Sequence, residues 1–323
     1  AAAVDKIRDK LKELLQKEKT TIYESGFLYE SLFVRSDILV KSSNQIKLIE
    51  VKAKSFDPND KYTFVGKQGK IVSSWKPYLF DLAFQTYVVQ KCYPEYKVKP
   101  YLFLVDKSKK TSIDGLNQLF RIKRDSNKRT GVEVLESNLE KLGSSVMGLV
   151  DQSEVVTKIL SNEILYHDNL NFQESVDLLR NIRLENKYPN WPTSFGSCKK
   201  CEFKNDDNDK GLQSGFKYCF QRQHKWTESD FKKPNTFNIW NFRKSKLFEE
   251  GKIFKDDLNE TDIKLKPKSE GLSNSERQWI QIQKERYGDT TEYFDKEGFL
   301  KESQNWKYPL HFIDFETSTV PLP

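Results

Sequence analysis

Two short stretches near the start of the chain alternate between apolar and polar positions, as strands do when one face is buried. They cover residues 31–40 (SLFVRSDILV) and 45–53 (QIKLIEVKA), and the polar residues KSSN at 41–44 separate them. Two β-rich runs joined by a four-residue polar loop predict a β-hairpin.

The rest of the pattern predicts helices and two further strands. Residues 4–30 have apolar positions at helical spacing, and residues 76–92 predict a helix with a broad apolar face. The apolar run at 98–106 is typical of a buried strand. The predicted elements are helices at 4–30, 76–92 and 155–166, strands at 98–106 and from Tyr308, and a charged helical connector at 226–300.

The composition suits a folded protein with a substantial core. The 323 residues are 31% charged and 13% aromatic, and the net charge is +7. No run approaches the roughly 18 apolar residues of a membrane helix, and no signal peptide is visible, so we expect a cytoplasmic protein without a membrane partner. Because the chain starts without Met and stops just after a predicted strand, we also expect it to be a fragment.

The predicted hairpin brings three charged side chains to one face. With the four-residue loop, Asp37 lies opposite Leu48 and diagonal to Glu50, with Cβ atoms about 7 Å apart or less. Lys52 shares this face because alternate strand residues point the same way. Two such carboxylates can bind Mg²⁺ or Mn²⁺, beside a lysine that positions or deprotonates the nucleophile or stabilises the transition state. The plainer alternative is a cross-strand ion pair on a solvated face.

The hairpin sequence, RSDILV followed by LIEVKAKS, resembles the core of the PD-(D/E)XK nucleases, specifically their RecB-like branch. The resemblance spans residues 20–105 and implies an α/β fold, a restriction-endonuclease-like mixed sheet flanked by helices, with helical additions and a cysteine-rich metal-binding loop. It also implies that Asp37 and Glu50 bind the catalytic metal ion and that Lys52 is the catalytic lysine.

The same resemblance implies further residues near the active site. The RecB-like branch places a glutamine on the next helix, and DLAFQTYVV offers Gln85. The branch usually has a tyrosine four residues after this glutamine, whereas Tyr87 comes two residues after it. An acidic residue on the preceding helix assists in some members, and Glu24 in IYESGF is the candidate.

Three of the four cysteines lie close together in the chain. Cys198 and Cys201 form a C-x-x-C pair, and Cys219 follows eighteen residues after Cys201. In a chain expected to be cytoplasmic, this spacing favours metal ligation over disulfides. The thiolates suit structural zinc or an iron–sulfur cluster, and free thiols are the simplest alternative.

Some RecB-like nucleases hold a [4Fe–4S] cluster with three C-terminal cysteines and one cysteine upstream of the nuclease core. The resemblance therefore implies a [4Fe–4S] cluster on the three clustered cysteines, with Zn²⁺ as the alternative. The fourth ligand stays open between a cysteine in a preceding segment, Cys92 and, for a zinc site, His224.

A third signal lies in HFIDFETSTVPLP, where Asp314 and Glu316 would point to the same side of the predicted strand. Asp-x-Glu at the end of a first strand resembles the opening motif of RNase H-like DEDD exonucleases, in which the pair binds two metal ions. The alternative is an edge strand with solvated acids. The order of parts resembles an uncharacterised bacterial family that joins the two nuclease modules.

Two basic clusters, DKSKK at 106–110 and RIKRDSNKRT at 121–130, concentrate lysine and arginine in predicted loops. Such runs are more often solvated loops, but they also suit phosphate contacts. The residues expected to contact DNA are Lys109, Lys110, Arg121, Lys123 and Arg124.

These features predict a metal-dependent DNA nuclease, an exonuclease that hydrolyses phosphodiester bonds with metal-activated water in repair, processing or defence. The resemblance implies single-stranded DNA or duplex ends as substrates. The alternative is a non-catalytic nucleic-acid-binding subunit with a structural iron–sulfur or zinc site. The predicted domains are a nuclease domain at 1–190, a cysteine region closing it at 191–225, a helical connector at 226–307 and the start of an exonuclease domain at 308–323.

Overall fold

The computed structural model of the protein describes residues 2–126, 130–166, 170–186, 191–205 and 211–316. The chain divides into two compact units. The first unit comprises Ala1–Lys187 together with Glu316–Pro323, and the second unit comprises Tyr188–Phe315. No helix in the described part of the chain is long and apolar enough to cross a membrane.

The first unit is built around a five-stranded mixed sheet flanked by helices, so the protein has an α/β fold. The strands in chain order are β1 (Lys19–Tyr29), β2 (Leu32–Ser42), β3 (Gln45–Phe56), β4 (Lys97–Asp106), β5 (Phe120–Arg124), β6 (Thr130–Val134) and β7 (Met147–Asp151). The sheet order is β1–β2–β3–β4–β7, with β3 and β4 parallel and the other neighbours antiparallel. The strands β5 and β6 form a separate antiparallel pair.

Among the described residues of the first unit, the helices are α1 (Ala2–Gln16), α2 (Lys76–Cys92), α3 (Ser153–Leu160) and α4 (Phe172–Leu184). Short 3₁₀ turns lie at Leu116–Leu119 and Leu139–Leu142. The helix α2 connects the parallel strands β3 and β4 and buries Leu79 and Leu82 completely, in one cluster with Leu48 of β3 and Leu102 of β4. This burial fixes the rotation of α2 against the face of β3 that carries Glu50.

The helix predicted at 76–92 and the strand predicted at 98–106 are confirmed by α2 and β4. The helix predicted across 4–30 is wrong beyond Gln16, because residues 19–29 pair with β2 along their length. The helix predicted at 155–166 starts at Ser153 and ends at Leu160, where Ser161 terminates it.

The predicted hairpin is confirmed, but its four-residue loop is wrong. Ser42 pairs with Gln45, so the loop has two residues, and Leu39 rather than Asp37 lies opposite Leu48. Ser43 has a φ of 52°, and a left-handed residue of this kind allows the chain to reverse within two residues. Continuing this register brings Asp37 level with Glu50 instead of diagonal to it.

The second unit consists of short helices around an aromatic core. Its helices are α5 (Phe195–Lys199), α6 (Gly215–His224), α7 (Glu228–Phe231), α8 (Ser245–Glu249), α9 (Glu260–Ile263), α10 (Asn274–Arg286) and α11 (Lys296–Ser303), with 3₁₀ turns at Thr236–Asn238 and Lys255–Asp257. Phe220 and Phe242 pack in the same core as Ile282. A cysteine region and a separate connector were predicted, whereas here both contribute to one core.

The strand predicted from Tyr308 is not present in the described residues 308–316, which have no regular secondary structure. A strand requires a neighbouring strand to satisfy its backbone hydrogen bonds, and these residues pair with none in the described part of the chain. Residues 317–323, which complete the predicted domain start, lie outside the described residues.

Candidate active site and metal centres

The candidate active site lies where the pairing on both sides of β3 is interrupted. Pairing between β2 and β3 stops at Ile38, immediately before Asp37 and Glu50 would pair. On the other side, the register between β3 and β4 shifts between Val51 and Ser55. An interrupted ladder redirects side chains, which is why such irregularities occur next to active sites.

Glu50 lies at the centre of the site and is only 5% exposed. Its Oε1 accepts a hydrogen bond from Lys52 Nζ, and its Oε2 accepts one from Gln85 Nε2 at 2.8 Å. Burial raises the pKa of Glu50, the hydrogen bonds from Lys52 and Gln85 oppose this rise, and the charge of Asp37 adds to it. A buried carboxylate close to a second carboxylate is stabilised by positive charge, whether from lysine or from a metal ion.

Lys52 is held between two carboxylates. Its Nζ forms a salt bridge with Glu50, lies 3.6 Å from Asp81 Oδ2 and is 5.6 Å from the centre of the Tyr78 ring. Burial alone would lower the pKa of Lys52, but Glu50, Asp81 and then Asp37 outweigh it and raise the pKa. Lys52 is therefore an ammonium ion at neutral pH, which suits stabilisation of anionic charge better than proton abstraction.

Asp37 reaches the site from β2. Its Oδ2 accepts a hydrogen bond from the backbone N–H of Val51 at 2.7 Å, which fixes the carboxylate beside the residue that follows Glu50. The charge of Asp37 affects the pKa of Glu50, so the two carboxylates are close enough to interact. The structure therefore brings Asp37, Glu50 and Lys52 together.

The oxygen donors of this site fit a hard divalent cation. Mg²⁺ typically takes one or two carboxylates and completes its coordination with water and substrate phosphate, and Asp37 and Glu50 supply two. In the part of the chain that the structure describes, no group of three or more histidine, cysteine, aspartate or glutamate side chains is arranged to hold a metal ion. The buried Oε1 of Gln85 has no hydrogen-bond partner among those residues, so the site offers an acceptor that water or a ligand can satisfy.

Sequence reasoning missed Asp81 and Tyr78, which lie on α2 next to Lys52. Asp81 is one helical turn before Gln85, and its Oδ1 is 3.4 Å from Gln85 Nε2. The D-x-x-x-Q spacing was a usable signal, because residues i and i+4 share a helix face. Tyr78 offered no signal, since its contact depends on how α2 is rotated against β3.

Lys54 continues the alternation of charges along β3 but belongs to a different environment. Its Nζ donates to the carbonyl of Ser74 and lies 4.1 Å from the centre of the Trp75 ring. Lys54 therefore anchors the end of the segment between β3 and α2 rather than joining the carboxylates.

Two residues suggested by the resemblance lie elsewhere. Glu24 lies on β1 rather than on a helix, has a φ of 53° and forms a salt bridge with Arg35 at 2.8 Å. Tyr87 packs edge-on against Tyr29 and Phe172 in the core of the first unit. Neither residue contacts Glu50 among the interactions of the described residues.

The basic residues expected to contact DNA have two different environments. Lys109 donates to the carbonyl of Met147 and lies 4.0 Å from Asp106, and Lys110 beside it is exposed. The second basic cluster was predicted to be a loop. This prediction is wrong for residues 121–124, which belong to β5 and pair with β6.

On β5, Arg121, Lys123 and Arg124 are all exposed, and Lys123 pairs with Glu133 at 2.8 Å. Residues 127–129 of this basic cluster lie outside the described residues. The cations on β5 are therefore accessible to solvent. Of the five basic residues expected to contact DNA, Lys109 and Lys123 already have a carboxylate partner.

The three clustered cysteines lie at the edge of the aromatic core of the second unit. Cys198 lies in α5, Cys201 follows it, and Cys219 lies in α6; all three are partly buried against that core. Burial raises the pKa of Cys198, and Cys201 and Cys219 are near enough to raise it further. Burial and then Cys201 also raise the pKa of Cys219. Metal binding would have to displace these protons.

The two candidates for a fourth ligand have other surroundings. His224 Nε2 is 2.7 Å from Thr193 Oγ1, its ring stacks on Phe220, and burial lowers its pKa. Cys92 ends α2 in the first unit, where burial raises its pKa. The cluster and its fourth ligand stay predictions.

Asp314 and Glu316 are both exposed and lie in the irregular segment described above. Phe312 and Phe315 beside them are 93% and 82% exposed. The described residues therefore do not gather these acids into a metal site, and their assignment to a second module stays a prediction.

Comparison of the chain with protein-family models, with curated proteins and with solved structures gives no match. Assignment of a function therefore depends on the chemistry of the site.

Proposed function

We propose that the first unit is a metal-dependent nuclease of the PD-(D/E)XK type that hydrolyses phosphodiester bonds in DNA. The observation that carries this proposal is the convergence of Asp37, Glu50, Lys52 and Gln85 at the interrupted part of β3. A surface ion pair would not require a buried carboxylate, a second carboxylate and a buried amide around one lysine.

Asp37 and Glu50 are the residues that would hold Mg²⁺ or Mn²⁺. Such an ion supplies a Lewis acid for the phosphate and lowers the pKa of bound water. Lys52, as an ammonium ion, stabilises the charge that develops on the phosphate oxygens. Gln85 keeps the Glu50 carboxylate in position through its hydrogen bond, and Asp81 stabilises the ammonium ion of Lys52.

The fold supports the same proposal. The resemblance implies a mixed sheet flanked by helices, with the Asp strand and the E-x-K strand as neighbours, and β2 and β3 are such neighbours. The [4Fe–4S] or zinc site at the three cysteines and the role of the basic residues in DNA binding belong to this proposal as further parts of it.

The test is a cleavage assay on end-labelled single-stranded and double-stranded DNA with Mg²⁺, Mn²⁺ or EDTA, using Glu50→Gln as the matched inactive control. Cleavage that requires the metal ion and is lost in Glu50→Gln is the expected result. Binding of DNA without cleavage under every metal condition would favour the alternative, a non-catalytic binding subunit. The structural argument for that alternative is that both carboxylate oxygens of Glu50 already accept hydrogen bonds from side chains.

A further inference from the structure

A groove of about 910 Å³ runs between α2 and α4 in the first unit. Its α2 side consists of Pro77, Phe80, Asp81 and Phe84, which share one helix face by their spacing. Its α4 side consists of residues spaced three or four apart between Phe172 and Leu184, which therefore share one face of α4. At 1.5 Å per residue this side extends for about 18 Å, which is long enough to accompany an extended chain molecule.

Large apolar side chains remain exposed inside this groove. Phe33 is 58% exposed, Tyr166 is 40% exposed, and Leu179 and Leu184 on α4 are 47% and 62% exposed. Contiguous apolar exposure of this kind on a folded domain marks a binding surface. Two of these four residues are aromatic, so the groove offers ring faces as well as aliphatic contacts.

Cationic groups accompany these apolar residues. Arg183 is exposed on the groove side of α4, and Arg180 pairs with Glu30 at 2.9 Å while its Nε is buried without a partner among the described residues. Lys76 donates to the carbonyl of Tyr166 at 2.7 Å. Two cations therefore line the apolar groove, and Lys76 lies beside it. Arg183 is exposed, whereas Arg180 already pairs with Glu30 and lies 3.9 Å from Asp177.

The groove is continuous with the candidate active site. Asp81 lines the groove, and its carboxylate is also 3.6 Å from Lys52 Nζ and 3.4 Å from Gln85 Nε2. A chain molecule whose reacting group lies at Lys52 can therefore extend directly between the two helices.

We propose that this groove binds single-stranded nucleic acid, with bases against Phe33 and Tyr166 and a phosphate at the exposed Arg183. The exposed cation Arg183 and the exposed aromatic side chains of Phe33 and Tyr166 select this occupant, because single strands are bound without sequence preference by aromatic side chains combined with cations. A duplex keeps its base faces stacked on one another and cannot use these rings. The groove would be the place where the proposed nuclease holds its substrate. Only the direction of the strand toward Lys52 rests on the proposed nuclease function.

The test measures fluorescence anisotropy of labelled dT12 and U12 strands, and of a 12-base-pair duplex, with the whole chain in EDTA so that no strand is cut. Phe33→Ala and Arg183→Glu should each weaken binding of single strands about tenfold, which is at the low end of what one stacked base contributes. Duplex binding should change less than twofold. The matched controls are Tyr23→Ala and Lys19→Glu, which change an exposed aromatic residue and an exposed lysine of the same unit outside the groove.

The salt dependence separates the two kinds of contact. Arg183→Glu should reduce the slope of log affinity against log salt by about 0.7 or more, whereas Phe33→Ala should leave the slope unchanged. A strand carrying 4-thiothymidine should also cross-link under ultraviolet light to peptides that contain Phe33 or Tyr166, which tests the groove in the unmodified protein. Preference for dT12 or U12 decides between DNA and RNA.

Unchanged single-strand affinity in both groove variants, or cross-links only outside the groove, would overturn the proposal, and so would failure of the wild-type chain to bind either strand. An apolar peptide would then be the occupant to test next. The proposed nuclease function fails separately: a wild-type chain that binds strands through the groove but cuts none in Mg²⁺ or Mn²⁺ keeps the groove and loses the enzyme. If the wild-type chain cuts DNA and the groove variants bind single strands normally, the nuclease function is kept and the groove is rejected as the binding site.

Discussion

The two regions expected to bind metal ions are organised by different forces. At the carboxylate site, a buried glutamate is held by a lysine and a glutamine, and a second carboxylate is fixed by a backbone N–H. At the cysteine region, the thiols lie against aromatic rings, such as Phe216 and Phe220 with centroids 4.4 Å apart and Trp226 at 4.5 Å from Phe220. One region depends on charge pairs, and the other depends on apolar packing.

This difference has a consequence for each region. Removal of a charged partner at the first site leaves another charge uncompensated, so chemistry is sensitive to every member. The aromatic core of the second unit includes Phe220, which is fully buried, so we expect this core to persist when one thiol is changed. The stability of the second unit should therefore depend on its cysteines only if they hold a metal ion or cluster.

The largest expected effect is at Glu50 and Lys52. If the proposed function is correct, Glu50→Gln and Lys52→Ala should each reduce metal-dependent cleavage by roughly 100-fold or more, because they remove the proposed metal ligand and the proposed transition-state cation. The fold should be retained, as judged by circular dichroism, and DNA binding should persist. Lys47→Ala, an exposed lysine on the same strand, is the matched control. A Lys52→Ala protein that cuts at the wild-type rate would show that the site is assigned incorrectly.

The second effect tests the cysteine region. Anaerobically purified protein should be brown and contain iron. Cys201→Ser should lose iron and lower the free energy of unfolding by more than the about 1 kcal/mol of an ordinary substitution. Cys92→Ser tests the fourth ligand, because retention of iron in that variant excludes Cys92. Stoichiometric zinc would assign the site to the zinc class. Absence of both metals, with an unchanged melting temperature, would contradict both versions.

The sequence allowed the active-site face to be predicted but not its details. Glu50 and Lys52 follow from the two-residue period of a strand, and Gln85 follows from the family resemblance. The hairpin register was wrong because it depends on the left-handed conformation of Ser43, which its residue type does not impose. Asp81 was missed because its role depends on the rotation of α2 against β3, which is set by long-range packing.

The start of the fold shows a similar limit. Apolar positions at helical spacing stop at Leu15, and the strand conformation of residues 19–29 is stabilised by pairing with β2, which local periodicity does not reveal. Local periodicity therefore located each element that carries the candidate site, whereas pairing partners determined where α1 ended and how β2 and β3 were aligned.

A smaller effect is expected at Asp81, which we assign as a positioning residue for Lys52. Asp81→Asn should lower kcat about tenfold and leave KM nearly unchanged, in the range usual for residues that orient a catalytic group. Because the charge of Asp81 helps to raise the pKa of Lys52, its removal should lower that pKa, and the alkaline limb of the pH–rate profile should move to lower pH. Glu154→Gln, an exposed carboxylate on α3, is the control. A change in KM alone, with an unmoved alkaline limb, would exclude the positioning role.

The smallest effect concerns the charges on β5, which belong to neither organised region. Arg121, Lys123 and Arg124 are exposed, so neutralising them together should weaken binding to all DNA sequences alike and reduce the salt slope by about 0.7–0.9 for each phosphate that the protein no longer neutralises. Lys123 should contribute least, because Glu133 already compensates its charge. The rate at saturating DNA should not change, since such interactions bind ground state and transition state equally. Titrations at several salt concentrations, with Lys19→Ala as control, measure this; an unchanged slope would mean that β5 is only solvated.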